Sequence, residues 1–203
     1  MKPTIHGLFS TPIYISKLER KFTDKENKFI SESKIKVNKN LGNTTTNNNY
    51  ILNTKPFNNL KKELDEIVQD YFNKVISSSN NIESYITQSW LNYTETNQYH
   101  HKHAHPNSIV SGIIYINADK KNDKIKFFKD NHSIIKPEIK DYNIWNSETW
   151  WFEVETGEII LFPSSLEHMV ETKQGTNTRI SLSFNTFVKG KIGSEKQLTE
   201  LIL

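Results

Sequence analysis

The sequence of 203 residues contains no cysteine. This absence excludes disulfides, thiolate zinc sites, iron–sulfur clusters and cysteine nucleophiles, so any bound metal must use nitrogen and oxygen ligands. Arginine is scarce as well, because Arg20 and Arg179 are the only two, and the net charge of +3 comes from scattered lysines. Since no dense basic block exists, nucleic-acid binding is not indicated.

Long apolar runs are also missing from the sequence. None approaches the roughly 20 residues that a membrane span requires, and the N-terminus lacks the apolar core of a signal peptide. We therefore expect no membrane association and a cytoplasmic location. The bias toward lysine, asparagine and isoleucine is typical of an AT-rich bacterial or viral genome, and for a viral source the location would be the host cytoplasm.

The chain, at 23.7 kDa, is long enough to form one core, and we expect a single domain over residues 1–203. Apolar residues follow helical spacing for about five turns after Pro56. Thr23 and Glu26 have the spacing of a capping box, which predicts a peripheral helix ahead of the helix that follows Pro56. The helical part is thus expected mainly within 20–76. Residues 37–49 are polar and aperiodic and predict a loop near the mouth of a site.

Most of the remaining chain, mainly 84–189, has the β-branched and aromatic composition of short strands. The expected strands are 7–16 at a sheet edge, 85–93, 109–117, 124–129, 150–154, 158–162 and 179–188. Helices followed by many strands indicate an α+β domain with a β-sandwich or barrel. Residues 130–147 predict a long loop of the kind that covers a site. Residues 194–202 predict a short helix or tail whose apolar end packs on the core or on a second subunit, which leaves a homodimer open.

Four of the seven histidines fall within Tyr99–Ser108. In an extended segment His101, His103 and His105 point to one face, because strand side chains alternate. Imidazole is the commonest protein ligand for transition metals. A further ligand must come from a distant segment, and His168 is the best candidate because it follows an apolar run that predicts a buried strand. The alternative is a solvated histidine-rich tract without a specific site.

A second group of candidate residues lies in the last predicted strand. Arg179, Ser181 and Ser183 alternate with Ile180, Leu182 and Phe184, so the polar side chains share one face. A buried guanidinium beside a hydroxyl is suited to binding a carboxylate through two hydrogen bonds. The pattern therefore predicts a metal and an anionic cosubstrate in one site.

These motifs, in their order along the chain, resemble the iron(II)- and 2-oxoglutarate-dependent oxygenases, and most of all the oxygenase group found in marine bacteria and phages. The matching segments extend over nearly the whole chain: Leu8–Pro12, Trp90–Asn92, His103–Ser108, Ser111–Ile116, Gly157–Ser164, His168 and Arg179–Asn185. Each segment alone is weak evidence, whereas the ordered set is specific. The resemblance implies a double-stranded β-helix, or jelly roll, with N-terminal supporting helices.

The resemblance also implies the site residues. His103, His105 and His168 would bind iron(II), and Arg179 with Ser181 would hold the far carboxylate of 2-oxoglutarate. Tyr115 and Asn92 would make further cosubstrate contacts, or else serve only as core and sheet residues. His100 and His101 would lie behind the ligands or face the substrate, and Trp90, Phe127, Trp145, Trp150 and Trp151 would supply apolar walls.

His105 departs from the usual pattern, because most of the superfamily has Asp or Glu at this position and uses two histidines with one carboxylate. Glu167 and Asp130 are the nearby acids, although neither has the expected spacing. The implied reaction is hydroxylation of an unidentified small molecule or peptide by O2, with release of succinate and CO2. The alternatives are a three-histidine zinc or cupin-like metal enzyme, and a ligand-binding jelly roll without catalysis.

Overall fold

Antiparallel strands are the main regular structure of the protein. The computed structural model describes residues 2–129, 135 and 137–203. Two helices lie in the N-terminal part, α1 (Asp24–Ser33) and α2 (Asn58–Tyr71), and a π-helical turn (Phe72–Ile76) extends α2. The strands are β1 (Tyr14–Lys17), β2 (Val37–Lys39), β3 (Thr44–Thr46), β4 (Ile82–Thr94), β5 (His100–His103), β6 (Val110–Asn117), β7 (Lys124–Phe128), β8 (Thr149–Glu153), β9 (Glu158–Pro163), β10 (His168–Val170), β11 (Arg179–Ile192) and β12 (Leu201–Ile202).

Two sheets divide these strands. In the described part of the chain, the larger sheet has the order β1-β9-β6-β11-β4-β3-β2, with β12 paired to β11, and the smaller sheet has the order β5-β10-β7-β8. The two sheets face each other across the side chains of a shared interior. This arrangement confirms the predicted jelly-roll core and the position of β1 at a sheet edge.

Alternation along the strands separates the two faces of the larger sheet. On β6, Ile113 and Tyr115 point toward the smaller sheet, whereas Ile114 and Ile116 belong to the cluster on the opposite face. The inner cluster is completed by side chains from both sheets: Ile125, Phe127, Val154, Ile160 and Phe162. The polar face of β11 is therefore buried between the sheets, where a site can form.

The helices cover the outer face. Leu60, Leu64 and Val68 of α2 are completely buried in the outer cluster, as the helical spacing predicts. The capping box of α1 is present, because the Thr23 hydroxyl accepts from the Glu26 backbone while the Glu26 carboxylate accepts from the Thr23 backbone. Both helices lie within 20–76, and neither is long and apolar enough to cross a bilayer.

Three local predictions were wrong. The segment 37–49 contains the hairpin β2–β3, which extends the larger sheet because β3 pairs with β4. The first strand begins only at Tyr14. Near the C-terminus a 3-10 turn leads into β12, which pairs with the end of β11 instead of forming a helix. For β3 and β12, backbone pairing with a long neighbouring strand overrides a weak local pattern.

Gly112 provides a test of the packing between the sheet and its outer cluster. A Cβ atom at this position would lie 2.1 Å from Cζ of Phe184 and 2.7 Å from a methyl carbon of Leu161. We expect Gly112→Ala to lower the free energy of unfolding by about 1–3 kcal/mol, because these buried side chains must move. Urea unfolding measures this change. Gly7→Ala is the control, since its Cβ would have no neighbour closer than 3.2 Å, and an equal loss in both variants would contradict the argument.

Candidate active site

Pairing of two strands of the smaller sheet brings the first and last candidate ligands together. In the antiparallel pair β5–β10, His103 lies directly opposite His168, although 65 residues separate them in the chain. Their ring centroids are 4.4 Å apart. His168 is almost fully buried and packs edge-on against Phe162, with centroids 4.6 Å apart. Strand register thus fixes two imidazoles at one place.

His105 reaches the same place from outside the strand. β5 ends at His103, so the predicted continuous extended run through His105 is wrong. The backbone N–H of His105 donates to the Ser164 carbonyl, 2.9 Å away, which ties this loop to the end of β9. The His105 ring stacks on His168 with an interplanar angle of 10°. His105 therefore reaches the other two imidazoles from a loop and not, as the spacing predicts, from one strand face shared with His103.

Hydrogen bonds to backbone carbonyls orient two of the rings. His103 Nδ1 lies 2.7 Å from the His101 carbonyl oxygen, and His168 Nδ1 lies 3.1 Å from that of Leu166. Because a carbonyl only accepts, each Nδ1 carries the proton and each Nε2 keeps its lone pair. This is the arrangement by which proteins aim histidines at a metal.

The spacing of the nitrogens fits one ion. One ligand atom from each of His103, His105 and His168 lies within 4.8 Å of the others, and the two Nε2 atoms of His105 and His168 are 3.3 Å apart. Two imidazoles at right angles, each about 2.1 Å from an ion, hold their nitrogens about 3 Å apart. A cation at this point would satisfy lone pairs that otherwise face each other.

Burial keeps these imidazoles neutral. Burial, with a smaller contribution from the charges of neighbouring histidines, lowers the pKa of His105 to about 4 and the pKa of His168 to about 3. Burial also lowers the pKa of His103. Metal binding requires the neutral form, so no proton has to be displaced at neutral pH.

A second histidine group overlaps the first. Ligand atoms of His100, His101 and His103 also lie within 4.8 Å of one another. However, His100 Nε2 is 3.3 Å from the Asn40 amide nitrogen, which donates to it. Because this contact occupies the His100 lone pair, and because all three residues come from one short strand, the group containing His168 is the better metal site.

The guanidinium of Arg179 lies at the other end of the same cavity. Arg179 is 3% exposed, and burial lowers its pKa. Among the described residues its Nη2 donates one hydrogen bond, to the Thr94 hydroxyl at 3.1 Å. A guanidinium has five N–H donors, so this buried cation is incompletely satisfied and is suited to receiving an anion.

The remaining cosubstrate candidates lie between the histidines and Arg179. Ser181 and Tyr115 are direct neighbours across β11 and β6, and both line the cavity with Asn92. The Tyr115 hydroxyl and the side-chain amide oxygen of Asn92 are buried and have no hydrogen-bond partner in the described part of the protein. Asn92 donates through its amide nitrogen to the Ser183 hydroxyl. Unmatched buried polar atoms at this position favour a polar ligand over a purely structural role.

The cavity between these groups has a volume of about 20 Å³, which is room for about one water molecule. A five-carbon diacid is larger, so its binding requires lining side chains to move apart. Trp90 and Met169 line the cavity and are only partly buried, so they are the side chains that we expect to move.

Other candidate residues lie elsewhere. Trp145, Trp150 and Trp151 are between 38% and 50% exposed and do not line the cavity. Phe127 contacts His168 from the inner cluster, at 6.2 Å between centroids. Glu167 is half-exposed and pairs with Lys102 at the surface, away from the three imidazoles. Asp130 and part of the predicted 130–147 loop lie outside the described residues.

Sequence reasoning missed three residues around Arg179. Thr94 accepts its hydrogen bond, and Asp123 and Lys173 form a completely buried ion pair beside it. Asp123 and Lys173 come from two different loops that look like ordinary polar turns in the sequence. No local pattern could have indicated that both are buried.

Comparison with known proteins agrees with this geometry. Residues 88–185 match the family model described as "Putative 2OG-Fe(II) oxygenase". This segment contains the three clustered histidines and Arg179. No curated protein matches the sequence.

Several solved structures share the fold at low sequence identity. HygX from Streptomyces hygroscopicus, solved with nickel, 2-oxoglutarate and hygromycin B, is 10% identical with a TM-score of 0.59, over 87% of this chain and 82% of HygX. A Pseudomonas putida prolyl-4-hydroxylase is 11% identical with a TM-score of 0.52, over 87% and 93%. SnoN, a non-heme alpha-ketoglutarate-dependent epimerase from nogalamycin biosynthesis, is 8% identical with a TM-score of 0.59, over 87% and 78%.

The structural likeness establishes the fold, a double-stranded β-helix, and the family match falls on the part of the chain that builds the site. The marine and phage grouping stays a prediction. The family match over residues 88–185 and the shared fold together support an assignment to the iron(II)- and 2-oxoglutarate-dependent oxygenase superfamily.

Proposed function

We propose that His103, His105 and His168 bind iron(II), that Arg179 and Ser181 bind the far carboxylate of 2-oxoglutarate, and that the reaction is hydroxylation of a small molecule or peptide. One observation carries this proposal: three neutral imidazoles and a buried, incompletely satisfied guanidinium lie at opposite ends of one cavity. A metal at one end and an anion at the other suit a 2-oxo diacid, which chelates through its oxo-acid end.

Each residue has a defined task in this proposal. The imidazoles leave coordination positions open, since three ligands do not fill an octahedral ion. The bound iron would activate oxygen with electrons from the decarboxylating cosubstrate. Tyr115 would donate its hydroxyl proton to a carboxylate oxygen, and its phenol stays protonated because burial raises its pKa. The surrounding apolar side chains exclude water from the reacting centre.

His105 sets this site apart from those that use a carboxylate. We expect the wild type to convert 2-oxoglutarate to succinate with iron(II) and oxygen, even slowly without a prime substrate. His105→Asp should retain iron but lose most coupled turnover, because the shorter side chain reaches the metal from another depth and placement tolerates only about half an ångström.

The measurement is succinate formed per iron for both proteins at the same oxygen concentration. Absence of succinate from the wild type, together with turnover by His105→Asp, would mean that the natural site is inactive. The reading as a ligand-binding jelly roll would then be preferred. If the protein purified anaerobically from iron-supplemented cells contains zinc, the three-histidine zinc enzyme would be favoured instead.

An epimerase, SnoN, has the same fold, so the fold alone does not select hydroxylation. The cytoplasmic location and the homodimer stay predictions from the sequence. The same holds for the division into a single domain over 1–203.

A further inference from the structure

A buried cluster of three charges lies behind the anion-binding end of the cavity. Asp123 Oδ1 is 3.3 Å from Lys173 Nζ and 3.7 Å from Arg179 Nη1. Asp123 is 0% exposed, Lys173 is 1% exposed and Arg179 is 3% exposed. Two buried cations therefore share one carboxylate oxygen of Asp123.

Both members of the ion pair are held by their own loops. Lys173 Nζ donates to the Gln174 carbonyl at 2.8 Å and to the Asn177 side-chain oxygen at 3.0 Å. Asp123 Oδ2 accepts from the Asp119 backbone at 2.8 Å. The Lys173 backbone is tied on both sides to the turn after β4, through Gln98 and Asn97. The positions of Lys173 and Asp123 are thus built into the fold.

The contact between Asp123 and Arg179 stops short of a hydrogen bond. At 3.7 Å the pair is an ion pair only, and Asp123 Oδ1 has no hydrogen-bond partner among the described residues. A free aspartate and arginine at this distance would normally close into a hydrogen-bonded, often bidentate, pair. Such a pair would use the N–H donors that a ligand carboxylate needs. Lys173 Nζ lies nearer to the same oxygen, at 3.3 Å, and is the second cation that competes with Arg179 for it.

We propose that Lys173 is a positioning residue for the cosubstrate site: it draws Asp123 away from Arg179, so that the guanidinium keeps its charge and its donors for the far carboxylate of a diacid. This inference rests on the proposed function, because it takes Arg179 as the carboxylate anchor. Lys173 itself does not line the cavity. Its effect is exerted through Asp123, and the net charge of the cluster is neutralised when one carboxylate enters.

The experiment compares two ligands on metal-loaded protein without oxygen. Manganese(II) replaces iron to prevent turnover, and calorimetric titration measures the affinities for 2-oxoglutarate and for 2-oxobutyrate, which keeps the oxo-acid end but lacks the far carboxylate. We expect Lys173→Met to weaken 2-oxoglutarate binding by about tenfold or more, because Asp123 then competes for Arg179. The affinity for 2-oxobutyrate should not change.

Removing the Asp123 carboxylate, which competes for Arg179, should restore the lost 2-oxoglutarate affinity. In Lys173→Met/Asp123→Asn no carboxylate remains to capture Arg179, and we expect 2-oxoglutarate affinity to return to within a few-fold of the wild type. Because the double variant also removes an unpaired buried carboxylate, the unchanged 2-oxobutyrate affinity of Lys173→Met is what distinguishes competition for Arg179 from a general structural defect. Should Lys173→Met fail to fold, Lys173→Gln serves in its place, since the amide keeps a donor for Asn177 and removes the charge.

Arg20→Met is the matched control. It also removes a cation from a buried carboxylate, that of Glu26, on the helical side of the protein. It should lower stability and leave the ratio of the two ligand affinities unchanged.

The outcomes separate this inference from the proposed function. If the wild type shows no preference for 2-oxoglutarate over 2-oxobutyrate, the proposed role of Arg179 fails. If the wild type prefers the diacid and Lys173→Met keeps the full preference, only the inference is overturned. It is equally overturned if Lys173→Met loses both ligands alike, or if the double variant is not rescued.

Discussion

Replacing His168 with alanine is expected to remove iron(II) binding, with an affinity loss of more than about a hundredfold. Loss of a group that merely supports a metal ligand costs about 10- to 100-fold, and loss of the ligand itself should cost more. His168 is the most buried of the three imidazoles, and alanine removes its Nε2 from the group without supplying another ligand atom. Anaerobic titration of the metal-free protein with iron(II) measures the change.

A set of single variants distinguishes the two overlapping histidine groups. His103→Ala should lose iron(II) binding whichever group holds the metal, because both groups contain His103. If the proposed site is right, His105→Ala and His168→Ala should also lose iron(II) binding. His100→Ala and His101→Ala should then keep iron affinity within a few-fold of the wild type. The reverse pattern, with iron lost on removal of His100 or His101 and retained without His168, would transfer the site to the other group.

The sequence predicted these residues better than it predicted how they come together. Alternation of His101, His103 and His105 suggested one strand face, but the strand ends at His103 and a loop delivers His105. The pairing of His103 with His168 depends on register between distant strands, which no local pattern contains. What the sequence did carry was the residue types and their order.

The fold was predictable where side-chain periodicity was strong. The apolar stripe of α2 and the polar–apolar alternation of Arg179–Phe184 in β11 both appear as expected. The hairpin β2–β3 could not be predicted, because Asn- and Thr-rich strands have no apolar face and form here through backbone pairing with β4. Edge segments of this kind depend on the neighbouring strand.

The charged neighbours of Arg179 could not be predicted from the sequence either. Its position at the start of an alternating strand predicted a buried guanidinium. The opposing carboxylate of Asp123 and the second cation, Lys173, belong to loops between β6 and β7 and between β10 and β11. Backbone hydrogen bonds tie Lys173 to the turn after β4 and Asp123 to Val154 after β8, and we expect this placement to affect how much of the Arg179 charge is available.

Arg179→Met is expected to weaken 2-oxoglutarate binding by about tenfold to a hundredfold while leaving iron affinity unchanged. A hydrogen bond to a charged group contributes about 1.5 to 3 kcal/mol, and the guanidinium offers several unused donors. The methionine side chain fills similar space, so the loss should report the missing charge and not a cavity. Removal of the guanidinium also frees Asp123 to remain with Lys173, which limits damage to the fold.

Arg179→Lys sharpens this test, because it keeps the positive charge but loses the planar fork of donors. We expect its 2-oxoglutarate affinity to fall between those of the wild type and Arg179→Met, since an ammonium reaches the carboxylate as a point charge only. Affinities come from anaerobic titration of manganese-loaded protein, with iron affinity measured separately. Unchanged cosubstrate affinity in Arg179→Met would show that the far carboxylate is held elsewhere. A parallel loss of iron would show that Arg179 supports the histidine end of the cavity instead.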